Sequence, residues 1–280
     1  MNKIALILDL DNTLYNWMDA YASGLNAQID YISKFVPLTK KKIENKFKKV
    51  FLKYGEVEVL YAVYELEFWK YLTIQKDQRK RIQKKSLEIF FQNFNKELKL
   101  YPTVKNTLIW AKQNQIKIFA LSDAYPFFVH HRLKKCHIEN IFDKIYVTKD
   151  KINLHVKDVK FLSNMIILPS NKSKPSPYTI NEIKKDYHLK KENMFLVGDN
   201  IAKDIECAKK AEITSILVQY KNSSKSQSRQ LLSKVTPWKK SITKKLVPDF
   251  KIEEFQEIKK IIYDKIKYKT EEKKKEQKLP

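Results

Sequence analysis

Short apolar runs alternate with amphipathic stretches over much of this chain. Runs that are apolar on both faces recur at five places: IALIL (4–8), IKIFAL (116–121), KIYV (144–147), MFLV (194–197) and ITSILV (213–218). Such a run is typical of a central strand of a parallel sheet, which is buried on both faces. Helical spacing follows or precedes them at residues 103–114, 177–187 and 201–211. Strands that alternate with helices predict an α/β fold with a parallel sheet at its core.

Residues 17 to about 97 break this alternation. They carry long amphipathic patterns rich in Lys, Glu, Phe and Tyr, with few turn signals. The patterns predict four helices, at residues 17–35, 39–54, 57–72 and 76–95. We therefore predict a helical subdomain of residues 16–97, inserted into an α/β core made of residues 1–15 and 98–262.

Three segments depart from both patterns. Residues 148–173 fit either a hairpin or a short helix followed by a strand, and their pattern does not choose between the two. Residues 221–246 are rich in Ser, Lys and Gln without an apolar period, which predicts a flexible insertion. A short strand and a helix are predicted after Pro248, and residues 263–280 read as a lysine-rich helix end and tail.

The net charge of +24 raises the question of a nucleic-acid partner. The excess is spread along the chain, since residues 221–280 contribute +10 and residues 16–100 contribute +7. Arginine, which is better suited than lysine to bidentate contacts with phosphates and bases, occurs only four times. Spread lysines are typical of solvated surfaces, so the charge does not favour a nucleic-acid partner.

The two cysteines, Cys136 and Cys207, have neither metal-type spacing nor the number a disulfide framework needs. This favours a reducing compartment. The N-terminal apolar run ends in acids by residue 9, which is too short for a signal peptide, and no later stretch reaches transmembrane length. We therefore predict a cytoplasmic protein without a transmembrane segment, and the sequence leaves its oligomeric state open.

Polar side chains stand where several of the predicted strands end. Asp9 and Asp11 follow the first run, Ser122 and Asp199 each follow a later one, and Lys174 precedes a helix. Ligands of open α/β sheets bind outside the carboxyl ends of the strands, so we expect these side chains to meet. The set suits phosphoryl transfer. One carboxylate can attack phosphorus, a second can protonate the leaving oxygen, and Mg²⁺ with the lysine can balance the charge.

Four motifs in chain order resemble those of the haloacid dehalogenase (HAD) superfamily of phosphatases and phosphotransferases. They are DLDNTLY at residue 9, ALSDA at 120, KPSPYTI at 174 and VGDNIAKDIECAKKA at 197. The resemblance covers residues 4–211 and implies a Rossmann-like parallel core. The helices inserted between the first and second motifs resemble the C1-type cap of that family.

The resemblance implies a catalytic and metal-binding role for four acids. Asp9 would be the nucleophile and a Mg²⁺ ligand. Asp11 would be the general acid and base, with its backbone carbonyl on the metal. Asp199 would complete the metal site, and Asp204 would contact the metal from further out or through water.

The resemblance assigns the phosphate and substrate contacts to four other residues. Thr13 would shape the turn after the first strand and orient Asp11. Ser122 and its neighbour Asp123 would lie against the substrate, with the Ser122 hydroxyl on the phosphate. Lys174 would hold the charges of the nucleophile and the phosphate together.

These roles predict a Mg²⁺-dependent phosphoric monoester hydrolase that acts on a small phosphorylated metabolite, a nucleotide or sugar phosphate, through an aspartyl phosphate. The presence of Asp11 favours dephosphorylation over dehalogenation, and transfer to a second carbon, as in a mutase, stays open. The alternative is a catalytically weak protein of the same fold. Its lysine-rich residues 221–280 would bind RNA, an anionic membrane or a protein partner.

Overall fold

A seven-stranded parallel sheet organises the described part of the protein. The computed structural model describes residues 3–59, 61–150, 160–221, 228, 230–233 and 246–265. The described strands are β1 (Ala5–Leu8), β2 (Lys117–Ser122), β3 (Lys144–Thr148), β4 (Met165–Leu168), β5 (Met194–Gly198), β6 (Thr214–Val218) and β7 (Phe250–Ile252). They pair in the order β4-β3-β2-β1-β5-β6-β7, and every pairing is parallel. This confirms the predicted α/β fold class.

The central position of β1 sets the location of the site. Leu8, its last residue, pairs with Ala120 of β2 on one side and Val197 of β5 on the other. The strand order runs outward in opposite directions from β1 and β5, so a crevice opens between their carboxyl ends. All four residues of β1 and all five of β5 are buried. This burial explains why their sequences are apolar throughout.

Helices flank the strands, and the spacing predicts those at residues 103–114, 177–187 and 201–211. The helices are α4 (Val104–Gln113), α5 (Pro126–Lys135), α6 (Tyr178–Asp186) and α7 (Glu206–Lys210), and residues 257–265 are also helical. One turn of π-helix, Ile201–Ile205, precedes α7. Turns of this kind frequently occur at functional sites, and this one contains Asp204.

The described residues of 16–97, the predicted insert, contain three long helices, α1 (Trp17–Ile32), α2 (Lys40–Tyr54) and α3 (Lys76–Glu97). Thr39 caps the start of α2 by accepting a hydrogen bond from Lys42 N, and Gly55 ends it at a φ of 66°. α1 packs along α3, where Phe90 lies against Gly24. This confirms three of the four predicted helices, while the division into core and cap domains stays a prediction.

The predicted helix over residues 57–72 was wrong. The segment forms two short 3₁₀ turns, Ala62–Glu65 and Glu67–Lys70, separated by Leu66 in an extended conformation. Val57, Val59, Ala62, Val63, Leu66, Phe68 and Trp69 are all buried. A single helix cannot bury so many closely spaced positions on one face, whereas a bent chain can.

Among the described residues of 148–173, Met165–Leu168 form β4 at the edge of the sheet, and Ser170–Lys172 form a 3₁₀ turn. Ile167 of β4 is 47% exposed, as expected of an edge strand. Residues 151–159, and most of the predicted insertion at 221–246, lie outside the described residues, as do residues 266–280. Within the described part of the chain, no helix is long and apolar enough to cross a membrane.

Candidate active site

Asp9 lies directly after β1, at the crevice between β1 and β5. Its backbone N–H donates to Val197 O at 2.9 Å, which extends the β1–β5 ladder by one residue and fixes the start of the loop. Its two carboxylate oxygens have different partners. Lys174 Nζ donates to Oδ1 at 2.5 Å, and Thr13 Oγ1 donates to Oδ2 at 2.8 Å. The carboxylate is therefore held in one orientation by groups on both of its oxygens.

The conformation of the loop after β1 accounts for the residue types found between the two acids and α1. Asn12 has a φ of 60°, a left-handed conformation that asparagine tolerates better than most residues. Its Oδ1 accepts from Met18 N at 3.0 Å, which satisfies a backbone donor in the first turn of α1. Thr13 was expected to orient Asp11, but its hydroxyl binds Asp9.

Lys174 joins two of the acids. Its ammonium group donates to Asp9 Oδ1 and, at 2.6 Å, to Asp204 Oδ1, and its side chain is only 2% exposed. Burial alone would lower the pKa of Lys174. The charges of Asp204 and Asp9 outweigh burial and hold that pKa well above its ordinary value. Lys174 therefore stays protonated as a counterion between the two carboxylates.

Three carboxylates form a compact cluster at this edge of the sheet. Oxygen atoms of Asp9, Asp199 and Asp204 lie within 4.8 Å of one another. The donor set consists of oxygen atoms from carboxylates, which Mg²⁺ prefers, and the ion could keep further positions for water or phosphate. These three side chains therefore fit a Mg²⁺ ion, and Asp204 is one of the three carboxylates of the cluster.

Asp204 is the most deeply placed of the three acids. Its Oδ2 accepts from Asn200 N at 3.0 Å, while Asn200 Oδ1 accepts from the N–H groups of Ala202 and Lys203. Burial raises the pKa of Asp204 to about 6, against the opposing charge of Lys174 and together with the charge of Asp9. The repulsion between Asp9 and Asp204 that contributes to this shift is one that a cation between the two carboxylates would reduce.

Gly198 has a packing role beside Asp204. A Cβ atom at residue 198 would lie 2.3 Å from the Cγ and Oδ2 atoms of Asp204. Asp204 has little freedom to move, because Lys174 and Asn200 N hold its two oxygens. The strand-to-loop step at this position therefore requires a residue without a side chain.

We expect Gly198→Ala to displace Asp204, because the added methyl group would overlap its carboxylate. The expected loss in the free energy of unfolding is about 1–3 kcal/mol, together with a weaker thermal stabilisation by Mg²⁺. Gly55→Ala is the matched control, because its surroundings are open and its φ of 66° adds only local backbone strain. A Gly198→Ala protein that Mg²⁺ stabilises as strongly as the wild type would contradict this packing role.

Ser122 and Asp123 lie at the end of β2. The Ser122 hydroxyl is buried and accepts from Ala124 N at 3.1 Å. Asp123 accepts from Lys174 N at 3.1 Å and forms an ion pair with Lys203 at 2.9 Å. Burial alone would raise the pKa of Asp123, but Lys174 and Lys203 hold it below its ordinary value. Asp123 thus anchors the Lys174 loop, and direct contact with substrate stays a prediction for both residues.

Asp11 points to a second buried charge cluster. Nη1 of Arg132 lies 2.8 Å from both carboxylate oxygens of Asp11, and Nη2 of Arg132 contacts Oε1 of Glu58. The same Glu58 oxygen accepts from Trp17 Nε1 at 2.9 Å. Burial raises the pKa of Asp11, the Arg132 charge opposes that rise, and the Asp9 charge adds to it.

The sequence reasoning missed Arg132 and Glu58. A signal for Arg132 was present, because it lies on the apolar side of α5 with the buried residues Val129 and Leu133. An arginine at such a position, in a chain with only four arginines, indicates a buried ion pair. No comparable signal marks Glu58, because it lies in the segment of residues 57–72, where the predicted helix does not form.

Comparisons with known proteins agree with this geometry. The family model described as haloacid dehalogenase-like hydrolase matches residues 5–212. No protein in the curated set matches the sequence.

Two solved structures share the fold. One is 2-haloacid dehalogenase from Pseudomonas syringae pv. Tomato, with a TM-score of 0.57 and 16% identity over 94% of this chain and 99% of that one. The other is a HAD phosphatase from Thermococcus onnurineus, with a TM-score of 0.56 and 17% identity over 94% and 98%. The family match covers most of the chain and spans all four motifs, and the chain therefore belongs to the haloacid dehalogenase-like hydrolases.

Proposed function

We propose that the protein is a Mg²⁺-dependent phosphoric monoester hydrolase that acts on a small phosphorylated metabolite, a nucleotide or sugar phosphate. The observation that carries this proposal is the convergence of Asp9, Asp199 and Asp204 around one point, with Lys174 bridging Asp9 and Asp204. A buried carboxylate held on both oxygens, beside a fixed cation, is a suitable nucleophile for phosphorus.

The first half-reaction would transfer the phosphoryl group to Asp9. A carboxylate oxygen of Asp9 attacks phosphorus, the bond from phosphorus to the ester oxygen breaks, and Asp11 donates its proton to the departing alcohol. Asp9, Asp199 and Asp204 would hold the ion, which when bound supplies positive charge next to the transferring phosphoryl group. Lys174 lies against Asp9 and would counter the remaining negative charge.

The second half-reaction would restore the enzyme. Asp11, now ionised, takes a proton from water, and the water oxygen attacks the phosphorus of the aspartyl phosphate. The bond from phosphorus to the Asp9 oxygen breaks and inorganic phosphate leaves. In the structure one nitrogen of Arg132 contacts both Asp11 oxygens, and this contact fixes the orientation of the carboxylate that would serve both steps.

Turnover of a panel of phosphometabolites tests the proposed substrate class. Release of inorganic phosphate would support hydrolysis, whereas an isomerised product without phosphate release would identify a mutase.

The alternative role of residues 221–280 in binding RNA, membrane or protein stays a prediction, because most of that region lies outside the described residues. A cytoplasmic location is supported by Cys136 and Cys207, which are buried free thiols.

We expect Mg²⁺ to stabilise the fold, because it would bind the native carboxylate cluster and not the unfolded chain. At 100 times the dissociation constant the gain is about 2.7 kcal/mol, readily measured as a rise in the thermal midpoint. Asp199→Asn should remove most of this rise, whereas Asp186→Asn, at an exposed aspartate at the end of α6, should retain it. An equal Mg²⁺ response in wild type and Asp199→Asn would count against the metal site.

A further inference from the structure

Arg132 links the acid at residue 11 to the inserted segment. It lies in α5, its side chain is 1% exposed, and one of its nitrogens contacts both oxygens of Asp11. Its other terminal nitrogen contacts Glu58, in the loop that follows α2. One guanidinium group thus bridges the loop after β1 to the insert.

The surroundings restrict the movement of this bridge. The guanidinium carbon lies 5.7 Å from the ring centre of Trp17, 5.8 Å from that of Phe94 and 5.4 Å from that of Phe128. Trp17 also donates to the Glu58 oxygen that Arg132 contacts. The planar group is therefore enclosed by three aromatic rings, and its two terminal nitrogens are directed to two carboxylates.

Lysine would not reproduce this arrangement. Its ammonium group is a single charged point, whereas the guanidinium fork contacts Asp11 from one nitrogen and Glu58 from the other. The chain contains many lysines but uses an arginine here, at a position where two carboxylates from separate elements must be held at once.

We propose that Arg132 is a positioning residue that sets the orientation of the Asp11 carboxylate and, through Glu58, makes that orientation depend on docking of the insert. The inference rests on the proposed function, since it concerns delivery of a proton to the leaving oxygen. Arg132 acts through Asp11 and has no assigned contact with substrate. Displacement of the Glu58 loop would loosen Arg132 and, with it, Asp11.

Leaving-group dependence separates positioning from a general structural role. A displaced Asp11 harms esters whose leaving oxygen needs a proton, such as phenyl phosphate, more than p-nitrophenyl phosphate, whose leaving group departs readily. Because hydrolysis of the aspartyl phosphate is common to both esters, the contrast is measured in kcat/KM, which reports the first half-reaction. We expect Arg132→Met to lower kcat/KM for phenyl phosphate about 100-fold and for p-nitrophenyl phosphate less than about 10-fold. Arg132→Lys should recover only part of the difference.

Glu58→Gln tests the link to the insert and also serves if Arg132→Met fails to fold. Glutamine keeps an acceptor for Trp17 but removes the charge opposite Arg132. We expect a loss of about 10-fold in kcat/KM on phenyl phosphate and about 2-fold on p-nitrophenyl phosphate. Arg79→Met is the matched control, because Arg79 donates to Trp69 O within the insert and should affect both substrates equally.

Two results would overturn the inference separately from the proposed function. The first is wild-type turnover that depends on Mg²⁺ and Asp9, while Arg132→Met, Arg132→Lys and Glu58→Gln lower kcat/KM for both esters by the same factor. The bridge would then be merely structural. Arg132→Met acting as strongly in an Asp11→Asn background as alone would also overturn it, because a residue that acts through Asp11 has no further effect once Asp11 is replaced. Absence of wild-type turnover on either ester would remove the proposed function, and this inference with it.

Discussion

Replacing Asp9 with asparagine is expected to abolish phosphate-ester hydrolysis, with a loss in kcat of roughly 10⁴-fold or more, the scale seen when a covalent nucleophile is removed. The amide is close to the carboxylate in shape but offers only one acceptor oxygen. Thr13 and Lys174 both donate to Asp9, so one of them would lose its acceptor as the nucleophile is lost. Steady-state turnover of p-nitrophenyl phosphate in Mg²⁺ measures the effect.

Asp186→Asn is the control for this experiment, since it makes the same chemical change at an exposed aspartate. It should retain wild-type kcat and KM. Circular dichroism and the thermal midpoint should show that Asp9→Asn is folded. Retention of a tenth or more of the wild-type kcat by a folded Asp9→Asn protein would exclude Asp9 as the nucleophile.

Replacing Lys174 with methionine is expected to destabilise the fold by about 3–5 kcal/mol at neutral pH and to abolish turnover. Methionine fills a similar volume but leaves the carboxylates of Asp9 and Asp204 close together without their shared counterion. Urea denaturation measures the loss. Lys185→Met, at an exposed lysine of α6, is the control and should change the free energy of unfolding by less than about 0.5 kcal/mol.

The destabilisation by Lys174→Met should depend on pH. The folded-state pKa of Asp204 is about 6, above the ordinary aspartate value of 3.8, and removing Lys174 would raise it further. A group with a raised folded-state pKa favours the fold when protonated, and this contribution is lost as pH rises. The variant should therefore recover stability relative to wild type between pH 7 and about pH 5. If Lys174→Met lowers the free energy of unfolding equally at both pH values, the charge of Lys174 does not stabilise the cluster.

The fold could be predicted because the central strands are buried on both faces and are therefore apolar throughout. β1 and β5 illustrate this, since the ends of their apolar runs are enough to locate the crevice. The segment at residues 57–72 could not be predicted in the same way. Apolar residues are so frequent in this segment that some of them match helical spacing, although the segment is not a helix. The bend at Leu66 depends on packing against the rest of the insert.

The sequence could place residues at the candidate site where a motif fixed both residue type and position, as for Asp9, Lys174 and Asp199, and their roles stay predictions. Pairings between distant residues were not predictable. The hydroxyl of Thr13 turns to Asp9, and Asp204 meets Lys174 directly, because rotamers and loop paths decide those contacts. Arg132 and Glu58 are far apart in sequence, so no local pattern predicts that they form an ion pair.

The most direct test of the central claim is to trap the phosphorylated enzyme. The protein would be mixed with p-nitrophenyl phosphate and Mg²⁺, quenched, and treated with borohydride, which reduces an aspartyl phosphate to homoserine. Mass spectrometry of the peptide containing residues 4–15 would then identify the modified position. We predict homoserine at residue 9, only when substrate and Mg²⁺ are both present. Turnover of the ester with Asp9 unmodified, or with the reduced residue elsewhere, would contradict the proposed mechanism.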